Sequence, residues 1–157
     1  MRAAEITIER LALADVGDAA DLLHAQLLEH RISSDRDTAR RSLAGLVEVG
    51  SRGFVLVARG TDAVGLAVLA FAWTVEHGGN VAWLDELYVV PRLRGLGVGR
   101  ALLLRAIAEC EREGCVAMDL EVDREHGRAA NLYTREGFEP LGRARYARRL
   151  TPRPTPP

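Results

Sequence analysis

The sequence predicts an α+β, mixed α/β fold: a central, largely antiparallel sheet of six to seven strands flanked by about four helices. Three patterns carry this. Short segments in which apolar residues alternate or run unbroken read as strands. Three of them follow one another between residues 54 and 90 with only tight turns between, which makes an antiparallel meander. Other segments space their apolar residues at helical intervals, and one of these separates two strands as a crossover would.

Residues 5–13 alternate with period two through Ile6, Ile8, Leu11 and Leu13 and form the first strand. Asp15 is an N-cap for a helix to residue 29, with Leu22, Leu23, Leu27 and Leu28 on its apolar side. After a polar break at 33–37, a second helix covers 37–49 and ends at Gly50. Strands follow at 54–59, 63–75 and 81–90, the last stopped by Pro91. The turns between them are Gly60-Thr61-Asp62 and His77-Gly78-Gly79-Asn80. A glycine-rich stretch at 94–99 opens a helix over 98–113, and Gly114 ends it. A strand at 116–122, a helix at 127–136 and a final strand pair from Phe138 complete the order. The predicted domain is 4–150, and the proline-rich 151–157 is expected to be a disordered tail.

Composition narrows the function. The chain has 157 residues, 21 basic and 22 acidic, and all 21 basic residues are arginine. Without lysine, Schiff-base catalysis, pyridoxal-phosphate attachment and a Walker-A phosphate grip are excluded. The near-zero net charge gives no footprint for nucleic acid. Charge is uneven, with 16 arginines against 22 acids through residue 139 and five arginines with no acid after it. Cys110 and Cys115 have no metal-ligand spacing and read as reduced core thiols. His24, His30 and His77 form no spaced cluster, so no metal site is expected. MRAAEITIER lacks the apolar region of a signal peptide, and no apolar run reaches the about 18 residues that span a bilayer. A cytoplasmic protein without membrane attachment is expected.

The informative segment is WLDELYVVPRLRGLGVGR, residues 83–100. A strand runs into a loop with glycines at 95, 97 and 99, and the loop opens a helix. Such glycines leave successive backbone N–H groups free to converge on an anion, and the helix N-terminus adds donors and dipole. Arg94 and Arg100 flank the loop with permanent charge. A pyrophosphate cradle follows from this, of neither Walker-A nor dinucleotide-fingerprint type, since the lysine is missing and the glycine spacing differs.

Here the chain resembles the GNAT superfamily of N-acetyltransferases. Arg94-Gly95-Leu96-Gly97-Val98-Gly99 matches that family's acetyl-CoA loop, Gln/Arg-x-x-Gly-x-Gly/Ala, in full. Downstream, RAANLYTREGF (128–138) is similar to its second motif, Ala-x-x-Leu-Tyr-x-x-x-Gly-Phe. The resemblance covers about residues 4–150. It implies acetyl-CoA as co-substrate and a strand that splays at a bulge before the loop. Backbone of Leu87, Tyr88, Val89 and Val90 would then pair with pantetheine and thioester, and an amide near Leu87 would polarise the carbonyl, an effect worth about 3 kcal/mol. Amides of Leu96, Gly97, Val98, Gly99 and Arg100 would hold the pyrophosphate, and Arg94, Gly95 and Ala129 would be cofactor-binding residues with them. Ala129 opens the second motif. His126 stands where many relatives carry Asn, either as a CoA-contacting donor or as a surface histidine.

An amine nucleophile must lose a proton, and a carboxylate at the splayed strand can take it. Asp85 and Glu86 are adjacent, so regular alternation points them to opposite faces and only one would face the acceptor, Glu86 being favoured. Tyr133 matches the family tyrosine that gives a proton to the departing thiolate. The resemblance implies direct acetyl transfer from acetyl-CoA to a primary amine of a small molecule or peptide in a ternary complex. The acceptor site would be built partly by residues 22–41, and Glu76, Asp85 and Glu86 favour a cationic acceptor such as a polyamine, aminoglycoside or peptide amine. The alternative is a non-catalytic acyl-CoA-binding regulatory module. Relatives are often dimers, which makes a homodimer an expected assembly.

Overall fold

A computed structural model describes residues 6–123 and 125–152. The chain divides into two compact units, Met1–Glu121 and Val122–Pro157. The first unit holds β1 (Thr7–Arg10), α1 (Val16–Glu29), α2 (Arg36–Val47), β2 (Gly53–Arg59), β3 (Ala63–Thr74), β4 (Gly79–Val89), α3 (Val98–Arg112) and β5 (Ala117–Leu120). The second holds α4 (Gly127–Arg135).

The sheet order is β1-β2-β3-β4-β5, the order of the chain. The first four strands pair antiparallel, and β5 joins β4 parallel after the α3 crossover. Alternation along β2 and β3 divides the core. Val55, Val57, Leu66 and Val68 face a cluster with Ala19, Ala20, Leu22 and Leu23 of α1 and Leu43 of α2. The intervening Gly65 faces α3, where a Cβ would lie 3.1 Å from Leu102 Cδ1. Leu102, Leu103 and Ala106 are fully buried, and α3 packs on β2, β3 and β4.

Local chemistry explains the ends. The Asp35 carboxylate accepts from Thr38 N at 2.6 Å and caps α2. Buried Glu109 of α3 accepts from Arg10 Nε at 3.0 Å and Arg105 Nε at 2.8 Å, and it also pairs with Arg112, which ties β1 to α3. Cys110 and Cys115 are free thiols, and burial pushes Cys110 up to about 12. Among the described residues, no helix is long and apolar enough to cross a membrane.

Two expectations are corrected. The described residues form five strands, not six to seven: no strand follows Phe138. From 139 to 152 the segment leaves Leu141, Tyr146 and Leu150 exposed and carries four arginines, so it has no apolar face to bury on a sheet. The buried face of α1 is Val16, Ala19, Ala20, Leu22, Leu23 and Gln26, whereas Leu28 is exposed. The disordered tail expected at 151–157 falls mainly on 153–157, outside the described residues.

Candidate active site

The site begins with a defect in β4. Val68 lies opposite Glu86 and Leu69 opposite Leu84, so Asp85 has no partner on β3. This is a β-bulge: two residues of one strand stand against one of the other. It interrupts the alternation that would have sent Asp85 and Glu86 to opposite faces. Trp83 and Glu86 lie opposite Ala70 and Val68, two residues apart on β3 and thus on one face. Trp83 Nε1 donates to Asp85 Oδ1 at 3.2 Å, which draws the Asp85 carboxylate to that same side.

The bulge also coincides with a parting of strands. β5 pairs with β4 only over Val81–Leu84. Beyond it, Val90 N donates to Val64 O of β3 at 2.9 Å. Antiparallel alternation then turns the N–H and C=O groups of Leu87 and Val89 to the other edge, where no strand pairs among the described residues. The Val89 carbonyl on that edge accepts from Arg94 Nε at 2.8 Å. The edge therefore offers the Leu87 amide as an outward donor, as a hydrogen-bonding strand for an extended chain requires.

Glu86 is partly buried on the face that packs against α1, and Gln26 Nε2 donates to its Oε2 at 2.5 Å. Burial, reinforced by the nearby Asp85 carboxylate, pushes Glu86 up to about 7. The Gln26 donor acts against that rise, since it favours the ionised form. Asp85 itself is exposed. A half-ionised carboxyl group near neutral pH is suited to taking up a proton.

The loop that follows is built as a cradle. Gly95 and Gly97 have φ of +79° and +89°, the left-handed region in which side chains are strained. Gly97 is the N-cap of α3, and the first intrahelical bond runs from Ala101 N to Gly97 O. The amides of Val98 and Gly99 precede that bond and point out of the helix end with the positive end of its dipole. This geometry fits a diphosphate. Leu96 is exposed beside it, and Arg100 lies on the exposed side of the first turn.

Arg94, expected as a charge flanking the loop, is held in an ion pair. Its Nη2 donates to both oxygens of Glu29 at the end of α1, at 2.9 and 2.8 Å. Its guanidinium carbon lies 5.3 Å from the Tyr88 ring centroid, and Tyr88 Oη donates to Glu29 at 3.0 Å. Despite partial desolvation, the hydrogen bonds from Arg94 and Tyr88 hold Glu29 below the usual carboxylate range.

His126, Ala129 and Tyr133 belong to the second unit. His126 is the residue before α4, exposed and 3.6 Å from Asp123, and its carbonyl accepts from Ala129 N at 3.0 Å. Tyr133 is half-buried on α4, its ring edge-on to Phe138 with centroids 5.8 Å apart. Among the described residues, no three His, Cys, Asp or Glu side chains converge as metal ligands.

Sequence reasoning missed Gln26 and Glu29. A signal for Gln26 was present: it lies four residues after Leu22 and three after Leu23, on the buried face of α1, where a polar residue needs a reason. Glu29 carried no such mark.

The sequence model of the acetyltransferase (GNAT) family matches residues 19–138. The mycothiol acetyltransferase of Kocuria rhizophila is 38% identical over 93 residues, which is 56% of this chain and 30% of that protein. The chain thus spans less than a third of the length of the curated relatives it matches. A crystal structure from Arthrobacter sp. FB24, described as that of an acetyltransferase, is 34% identical with a TM-score of 0.77, covering 92% of this chain and 96% of that one. A Clostridium acetobutylicum protein crystallised with acetyl-CoA, described as a predicted acetyltransferase, shares the fold at 15% identity and a TM-score of 0.77, over 91% and 96% of the two chains.

Proposed function

The chain belongs to the GNAT family of acetyltransferases, and from that premise we propose that it transfers the acetyl group of acetyl-CoA to a primary amine. Transfer is by direct attack in a ternary complex, and the acetyltransferase domain is residues 4–150. The observation that carries this is the bulge at Asp85, which brings a partly buried Glu86 and an open strand edge to the head of a glycine-built anion loop.

When bound, acetyl-CoA supplies an activated acetyl thioester. The outward amides of the α3 first turn hold diphosphate oxygens, and Gly95 and Gly97 allow the backbone its close approach. The outward backbone groups of Leu87 and Val89, and not those of Tyr88 and Val90, which face β3, would hydrogen-bond an extended pantetheine arm, and the Leu87 amide would donate to the thioester carbonyl, whose oxygen gains charge during attack. Glu86 takes the proton that an ammonium must lose before it has a lone pair. Asp85 keeps the local potential negative, which favours cationic acceptors. By the motif they occupy, Tyr133 would be the proton donor to the departing thiolate, and His126 and Ala129 would be cofactor-binding residues.

The test is a panel of polyamines, aminoglycosides, peptides and anionic amino acids incubated with acetyl-CoA. CoA release and a mass gain of one acetyl group on the amine are measured together. Turnover with cationic primary amines is expected. Acetyl-CoA binding by calorimetry with no acetylated product from any member would replace this function with that of an acyl-CoA-binding module.

A further inference from the structure

Gln26 is 4% exposed, and its Oε1 is wholly enclosed and accepts no hydrogen bond, while its Nε2 donates to Glu86. An unpartnered buried amide oxygen lowers stability, and a leucine of similar volume would avoid that cost. The oxygen sits on the same side-chain amide that grips the carboxylate placed to receive the acceptor's proton. The last torsion of a glutamine is soft and roughly two-fold, so the amide can turn either its N–H or its oxygen toward Glu86 without moving α1. To a bare carboxylate it gives its N–H. To an ammonium docked on that carboxylate it can give its oxygen.

We infer that Gln26 is a specificity-determining residue whose Oε1 accepts one N–H of the acceptor amine seated on Glu86, and that it selects primary amines over secondary amines. This rests on the acetyl-transfer function proposed above. The proton balance of the reaction gives the selectivity. As the N–C bond forms and the C–S bond of the thioester breaks, a primary ammonium gives up two of its three protons. One passes to Glu86 and the other leaves with the CoA thiol. The third stays on nitrogen as the amide N–H of the product, and it is the one Gln26 Oε1 can hold from first docking to release. A secondary amine yields an amide with no N–H. An alcohol or thiol yields an ester with no hydrogen on the acceptor atom. A secondary ammonium carries two protons and commits both, one to Glu86 and one to the CoA thiol, while an alcohol or thiol has one and gives it to Glu86, so none keeps a proton for Oε1 through the transfer, and a polar site rejects such analogues strongly.

The probes are n-butylamine, N-methylbutylamine and butan-1-ol, used with the full chain and acetyl-CoA. The unchanged protein is expected to favour n-butylamine by about 20-fold or more in kcat/KM. In Gln26→Leu, loss of the Nε2 donor changes all three in common, whereas loss of Oε1 falls on n-butylamine alone, so its preference over N-methylbutylamine should shrink to about 3-fold or less, while the preference over butan-1-ol, set by the greater nucleophilicity of nitrogen, remains. Gln26→Met is the second variant if the first folds poorly, with thermal unfolding as the check on both. Independently of turnover, the side-chain amide resonance of Gln26 should move on titration with n-butylamine in the presence of CoA, and stay in place with butan-1-ol. A preference over N-methylbutylamine that survives in a folded Gln26 variant, or an amide resonance that ignores the amine, overturns the inference and leaves acetyl transfer standing. No turnover and no resonance shift with any amine, while acetyl-CoA still binds the unchanged protein, overturns both.

Discussion

The two halves of β4 have the same neighbour on one side and opposite fates on the other. From Val81 to Leu84 the strand is paired on both edges, to β3 and β5, and three of its four side chains are buried. From Glu86 to Val89 it is paired to β3 alone, and its outer amides and carbonyls are left for other partners. The first half is sheet interior, where every backbone group is satisfied and the side chains stabilise. The second is an edge that a protein would ordinarily blunt or cover, because an open edge invites pairing with any extended chain. One unpaired residue, Asp85, divides them. The difference teaches that the site is a place where the sheet is locally stopped, not a structure added to it.

The largest effect should come from removing the carboxyl group at the division. Glu86→Gln is expected to lower kcat by roughly 100–1,000-fold and to abolish the rise of kcat/KM with pH, whose midpoint in the unchanged protein should lie near 7. Stability should move the other way. Because the folded protein holds Glu86 above its ordinary 4.5, the contribution of the neutral form is full below 4.5 and is lost as pH rises through about 7. At pH 8 the variant should therefore resist urea better, by about 1–3 kcal/mol. A pH–rate profile that keeps its midpoint in Glu86→Gln would assign the proton to another group.

Deleting Asp85 sharpens the comparison most directly. Leu84 already faces Leu69 and Glu86 already faces Val68, so the deletion joins two pairs that are in register and turns no side chain to the other face. The strand loses only its bend. Turnover should fall by about 100-fold, as expected for misplaced reacting groups, while the unfolding temperature changes by less than about 5 °C. Asp85→Asn keeps the bulge and should retain most of the activity. Equal kinetics for the deletion and the unchanged protein would show that the two halves need not differ.

The smallest effect should be at the loop. Gly97→Ala places a Cβ at φ +89°, at a strain cost of about 1–2 kcal/mol, and acetyl-CoA affinity by calorimetry should weaken by roughly 5–10-fold. The pH midpoint set by Glu86 should not move. A shifted midpoint would mean that loop and bulge are one cooperative element.

Legibility in the sequence followed the range of the interactions. The meander, α3 and the Arg94–Gly99 loop were legible because turn chemistry, apolar period and glycine spacing are local signals. The residue pairs at the bulge were not. Strict alternation separates Asp85 from Glu86, and only the register against β3 shows that the strand carries one residue too many there. The partners of Gln26 and Glu29 were not legible, because these residues reach Glu86 and Arg94 across sequence separations of 60 and 65; only the polar side chain of Gln26 on the buried face of α1 left a local signal. The final strand pair was expected from element order alone, and a segment whose Leu141, Tyr146 and Leu150 stay exposed could not supply the buried face that a strand needs.

The clamp on Arg94 has a consequence for the cost of binding. Glu29, the Val89 carbonyl and the Tyr88 ring hold this side chain at the entrance of the loop as part of the folded chain. Its rotamer freedom is lost once, on folding, and not again each time a ligand arrives. A long flexible arginine immobilised only on binding would cost about 0.5–1.5 kcal/mol of affinity in lost entropy. Here the entrance is preorganised, so association should need no slow ordering step and its rate should be set by diffusion and orientation.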